Sequence, residues 1–187
     1  MQDGQRDVIA VLTHDHRELE ELFDRFTALP VTDTRTRREV TDQVIIELVR
    51  HAVAEEQYLY PAVRRHLPDG DRIADKEIAD HAAAERTMKE LERIDTGDHR
   101  FDDVFGRLER EVREHIAEEE DLLFPRLRSV CDGETLVDLG AKVERAKKTA
   151  PTRPHPSTPD TPPLNRLLDP GTGLVDRARD LVARRGR

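Results

Sequence analysis

The chain has 187 residues, of which 38% are charged, 36% hydrophobic and 4% aromatic, with no Trp; this water-facing composition still leaves apolar residues for one modest core. No run of ~18 or more apolar residues occurs, which excludes a membrane-spanning helix, and the one cysteine, Cys131, excludes an internal disulfide or a thiolate metal cluster. The net charge of −9 is uneven, with 24 basic and 36 acidic side chains in residues 1–149 and seven Arg against four Asp in residues 150–187, and the acidic body argues against nucleic acid as partner.

The N-terminus has no basic stretch followed by an apolar one, so no secretory signal is expected, and a cytoplasmic location fits the cysteine usage. Ile9, Leu12, His16, Leu19, Phe23 and Phe26 recur at three- and four-residue steps and predict a helix over about residues 5–29, ended by Pro30. Thr32, Asp33 or Thr34 can cap the second helix, whose stripe is Val40, Val44, Leu48, His51, Glu55, Tyr58 and Ala62. Pro61 predicts a kink in it, before a stop near Leu67-Pro68-Asp69-Gly70. A third helix carries Ala74, Ile78, His81, Glu85, Met88 and Leu91, and a fourth carries Phe101, Phe105, Leu108, Val112, His115, Glu119 and Leu122. A fifth short helix over about 133–148 is expected to pack outside the main unit. Seven of the eleven prolines fall between Pro151 and Pro170, so residues 150–187 read as an extended Pro-rich tail with a short terminal helix. No segment alternates with period two. The expected class is all-α: an antiparallel up-and-down four-helix bundle plus the fifth helix over residues 1–149.

The sequence also repeats itself. His51-Ala-Val-Ala-Glu55-Glu56-Gln57-Tyr58-Leu59-Tyr60-Pro61 aligns without gaps on His115-Ile-Ala-Glu-Glu119-Glu120-Asp121-Leu122-Leu123-Phe124-Pro125, and Asp15-His16 with Glu20 matches Asp80-His81 with Glu85. Each of the four helices thus carries one His-x-x-x-Glu. Residues four apart share a helix face, ~5–6 Å between Cβ atoms, so an imidazole and a carboxylate can reach one cation. The pairs in the second and fourth helices interrupt apolar stripes that face the bundle interior. An ionised carboxylate there costs several kcal/mol unless something compensates it. Two cations ~3.5–4 Å apart would do so, bridged by carboxylates of the second and fourth helices.

Candidate metal ligands are therefore His16, His51, Glu55, His81, Glu85, His115 and Glu119. Glu20 and Tyr58 are candidates for further ligands or for groups just outside them; Tyr58 follows His51 by seven and shares its face. Glu47, Glu77 and Glu111 each precede a site histidine by four and could orient its other nitrogen. Tyr60 and Phe124 are expected to close the hydrophobic wall beyond the site.

These motifs, Asp15-His16, His51-x3-Glu55 with Tyr60-Pro61, His81, and His115-x3-Glu119 with Phe124-Pro125, resemble the hemerythrin-like, HHE cation-binding family over about residues 8–130. The resemblance implies a four-helix bundle with two oxo- or hydroxo-bridged iron ions, terminal imidazoles from His16, His51, His81 and His115, and bridges from Glu55 and Glu119. Oxygen carriers of the family have a second histidine on the third helix where this chain has Glu85. A harder, negative donor favours the ferric state. The implied activity therefore moves from reversible O2 carriage to reaction with hydrogen peroxide or O2, with catalase-like disproportionation as in some mycobacterial relatives. The alternative is a non-enzymatic role in iron storage or in sensing O2, nitric oxide or redox state. Mn or Zn also fits mixed nitrogen and oxygen donors, and the sequence names no protein partner.

Overall fold

Three of the helices open on an aspartate whose carboxylate accepts a backbone N–H three residues on: Asp7 from Ala10, Asp33 from Thr36 and Asp132 from Thr135. The computed structural model describes residues 6–153, so the expected tail helix lies outside the described residues. Helix α1 is Val8–Thr27 and α2 is Thr34–Ala54. A π-helical segment, Glu55–Leu59, leads without a break into α3, Tyr60–His66. Helix α4 is Gly70–Arg93 and α5 is Phe101–Glu118. A second π-helical segment, Glu119–Leu123, leads into α6, Phe124–Val130, and α7 is Gly133–Thr149. No strand occurs among the described residues. The rods α1, α2–α3, α4 and α5–α6 form the four-helix bundle.

The two π-helical segments stand just before Pro61, where the sequence predicts a kink, and just before Pro125, its equivalent in the repeat. Pro61 and Pro125 lack an N–H, so the regular ladder must lose a bond there. One extra residue is taken up just upstream: Tyr60 N–H donates to Glu55 O, and Phe124 N–H to Glu119 O. This shifts the inward register by one position after each Glu. Leu122, expected inside, is 63% exposed, while Leu123 and Phe124 are buried. Tyr58 is likewise only half-buried, with Leu59 and Tyr60 enclosed in its place.

Apolar side chains gather in two clusters at opposite ends of the bundle. One joins Leu19, Phe23, Val44, Leu91, Phe105 and Leu108; the other joins Leu12, Leu59, Val63, Leu127, Leu136 and Val143. His16 lies between Leu12 and Leu19 on α1, so the polar centre sits between two dry caps. Helix α7 is part of the second cluster, contrary to its expected place outside the main unit. Leu136, Leu139, Val143 and Ala146 supply an apolar face that α1 and α2 cover. Gly140 permits that approach, since a Cβ there would lie 2.4 Å from the Arg6 carbonyl oxygen. Among the described residues no helix is long and apolar enough to cross a membrane.

Candidate metal centre

The i, i+4 spacing of His51 and Glu55 on the end of α2 sets His51 Nε2 3.0 Å from Glu55 Oε1. The other oxygen, Glu55 Oε2, faces His81 Nε2 of α4 at 3.3 Å and His115 Nε2 of α5 at 4.0 Å. Glu119 Oε2 lies 3.4 Å from His16 Nε2 and 3.8 Å from His115 Nε2. Glu55 therefore spans two imidazole pairs. His16 and His51 have ring centroids 5.0 Å apart, and His81 and His115 have them 4.8 Å apart, each pair inclined at 65°. The repeat in the sequence is thus matched by two equivalent imidazole pairs. His16, Glu55 and Glu119 are fully buried.

The far nitrogen of three rings meets a carboxylate at hydrogen-bond distance, and that of the fourth has one close by. His16 Nδ1 is 2.8 Å from Glu120, His81 Nδ1 3.0 Å from Glu56, and His115 Nδ1 2.9 Å from Glu77. Asp15 stands 3.6 Å from His51 Nδ1. Such partners fix the ring and leave Nε2 aimed at the centre. Glu77 precedes His81 by four but reaches across to His115, Glu47 pairs instead with Arg50, and Glu111 lines a cavity beside the centre. Glu56 and Glu120 were missed, although they occupy equivalent positions in the repeat.

Tyr60, expected to close the hydrophobic wall beyond the site, instead brings its hydroxyl in among the donors. Its hydroxyl lies 3.2 Å from Glu119 Oε1, 3.2 Å from His81 Nε2 and 3.5 Å from Glu55 Oε2. Phe124, its equivalent in the repeat, stacks on the His16 ring at 5.8 Å. Both arrive there because of the π-helical register shift, which also turns Tyr58 away. The expectation for Tyr58 is corrected accordingly: it packs on the apolar cluster of α7. Glu20 pairs with Arg113 on the bundle surface, 2.9 Å away, and is outside the centre. Glu85 is half-buried and is in none of the groups of donor atoms within 4.8 Å of one another; the inward line of α4 runs through His81, Ala84, Met88 and Leu91, with Ala84 packed on the cluster of Leu19 and Phe23.

Burial opposes charge on the His51 ring, yet Glu55 and Asp15 outweigh it and raise its pKa to about 10. His81 is raised well above the ordinary histidine range against the same burial, by Glu55 and Glu56. Glu55 is driven well below the usual carboxylate range by His51 and His81, although burial opposes this. Burial and the neighbouring Glu119 and Glu55 push the Tyr60 phenol well up, so it is a neutral hydrogen-bond donor.

The hemerythrin HHE cation binding domain matches residues 7–127. The chain belongs to that family. An uncharacterised hemerythrin-like protein of Schizosaccharomyces pombe is 28% identical over 169 residues, covering 90% of this chain and 82% of the relative. A DNA nickase of a Nostoc species is 28% identical over 138 residues, covering 73% of this chain but 38% of its own length. A crystal structure of a hemerythrin HHE cation binding domain-containing protein from Mycobacterium kansasii superposes with TM-score 0.66 at 22% identity, over 76% of this chain and 88% of that one; at that identity it supports the fold.

The donors of this hemerythrin domain fit a cation on their own evidence. His16 Nε2, His51 Nε2, Glu55 Oε1 and Glu119 Oε2 are shut off from solvent, and none has a partner in hydrogen-bond geometry among the described residues, although His51 Nε2 and Glu55 Oε1 stand 3.0 Å apart. The same four residues offer ligand atoms within 4.8 Å of one another. Glu55 with His81 and His115 forms a second such group, and Glu77 with His115 and Glu119 a third. Unpaired buried donors and acceptors are costly, and a shared cation would satisfy all of them.

Proposed function

We propose that this hemerythrin domain holds two iron ions and reacts with hydrogen peroxide or O2, in the catalase-like manner of peroxide disproportionation. The observation that carries the reading is Glu55, whose Oε1 faces one imidazole pair and whose Oε2 faces the other. His16 and His51 would hold one ion, His81 and His115 the second, with Glu55 and Glu119 between them. Iron suits this mixed set of imidazole and carboxylate donors, Mn being the nearest competitor. When bound, the iron pair supplies two-electron redox chemistry with peroxide.

The chain's own residues supply the setting. The two apolar caps keep bulk water away and strengthen electrostatic interactions inside. The Tyr60 hydroxyl holds a proton within hydrogen-bond reach of Glu119 and His81, where it can be lent to an oxygen atom in the centre. A cavity of about 30 Å³ lies beside His51, His81 and His115, walled by Leu48, Ala84 and Met88 among others. That is room for a molecule of one or two heavy atoms, such as O2 or hydrogen peroxide.

Oxygen evolution from peroxide by iron-loaded protein tests the reading. Turnover above that of the same iron free in buffer is expected. Turnover no greater than free iron, in protein that retains two bound ions, would instead assign the centre to storage or sensing.

A further inference from the structure

Behind the four outer carboxylates lies a further layer of charge, and it is uneven. Lys147 of α7 donates to Asp15 Oδ1 at 2.5 Å, and Asp15 in turn faces His51 Nδ1 at 3.6 Å. Lys147 is 19% exposed and Asp15 is buried, so the contact lies at the edge of the interior, beside an open, charged pocket. Arg17 similarly ion-pairs with Glu120, the partner of His16. On the other side the cover is thinner. The charged partner of Glu56 among the described residues is His81, and Lys76 stands 3.9 Å from Glu77 while half-exposed and shared with Asp80 and Glu118. Helix α7 lies beyond residue 127, where the family match ends.

We propose, resting on the two-ion reading above, that the two metal positions are unequal and that α7 sets the difference: Lys147, acting through Asp15 and His51, weakens the His16/His51 position, so the His81/His115 position fills first. The physics is that of a fixed cation close to a bound cation. Lys147 offsets the charge of Asp15, which stands 3.6 Å from His51 Nδ1, so the negative field at that ring is weaker and Nε2 is a poorer donor. Its own charge also repels a divalent ion across the buried Asp15 and His51 side chains. Lys147 is a positioning residue; it touches neither metal nor substrate.

The sign of the effect separates this role from a merely structural one. If Lys147 only pinned α7, removing it would loosen Asp15 and His51 and weaken binding. If it acts by charge, removing it strengthens binding. The test titrates the metal-free full chain with Co(II) alone, following the visible bands and a competing chelator. The unsubstituted chain is expected to take two ions in two steps. Lys147→Met should tighten the second step about tenfold, on the order expected for loss of one nearby unit charge, and change the first by less than about threefold. Lys147→Arg should restore the original titration. Arg17→Met, whose side chain is 54% exposed and so tolerant of replacement, should move the second step the same way by a smaller factor. Two steps that Lys147→Met leaves unchanged, weakens, or shifts equally would overturn the proposal while sparing the two-ion centre. Fewer than two ions in the unsubstituted chain would overturn the functional reading itself, and this inference with it.

Discussion

Each imidazole of the centre turns Nε2 inward and Nδ1 to an outer carboxylate, so a proton and a metal ion compete for the same inner nitrogen. His51, raised to about 10, and His81, raised well above its ordinary value, are both protonated at neutral pH in the metal-free fold. Raised folded values stabilise the metal-free fold fully below the unfolded histidine value of ~6.5; the share due to His51 is lost as pH climbs through about 10, and that of His81 as pH climbs through its own raised value. Glu55, depressed in the fold, adds stability that is present above the unfolded value of ~4.3 and is lost on acidification through its folded value. Metal-free protein should therefore lose melting temperature between about pH 7 and 10, while metal-loaded protein should lose it below about pH 7 as protons displace the ion. Calorimetric scans of both forms across that range check this; parallel pH profiles would contradict it. The histidines and the two inner glutamates were legible because one helix fixes their i, i+4 geometry. The partners Glu77 and Asp15 were not, since each acts on an imidazole of a different helix and only packing decides which one. Glu56 and Glu120 were legible in principle, as matched acidic positions of the repeat.

At the scale of elements, the two π-helical segments do most to shape the centre. A stripe drawn at ~3.6 residues per turn runs correctly to Glu55 and Glu119 and then fails, because one inserted residue rotates the remainder of each rod. That rotation brings Tyr60 to the donors and Phe124 to His16, and it turns Tyr58 and Leu122 outward. Pro61 and Pro125 marked the places, but a proline does not say whether the helix bends or inserts a residue. Helix α7 was legible as a helix through its apolar spacing and its Asp132-Gly133 start, but its docking was not. The docking depends on Gly140, whose Cα passes the α1 backbone too closely for a side chain. Gly140→Ala should therefore destabilise the protein, although alanine favours a helix by about 1 kcal/mol over glycine. Overpacking against rigid backbone costs about 1–3 kcal/mol, which after that gain leaves up to about 2 kcal/mol, a fall in Tm of up to about 8 °C at this chain length. A thermal melt that rises on this substitution would show that α7 is not held there.

Across the whole molecule, two apolar clusters supply the burial that holds the bundle, and between them lies a layer of charge that burial alone disfavours. The antiparallel four-helix architecture was legible from four apolar stripes and short connections, because helical periodicity and chain length leave few other ways to bury those faces. The convergence of the donors on one level was only approximate in the sequence, since it depends on helix ends and on the two inserted residues. In the folded chain, charge and core are complementary: the same stripes that build the clusters are interrupted, at one height in each rod, by the groups that face inward. The central claim is that this layer encloses a pair of metal ions. Iron content per chain, measured by elemental analysis after reconstitution and removal of loosely bound metal with a chelator, tests it most directly. Two iron ions per chain, with a melting temperature well above that of the metal-free form, is the predicted result. One ion or none retained, with no change in melting temperature, would contradict it.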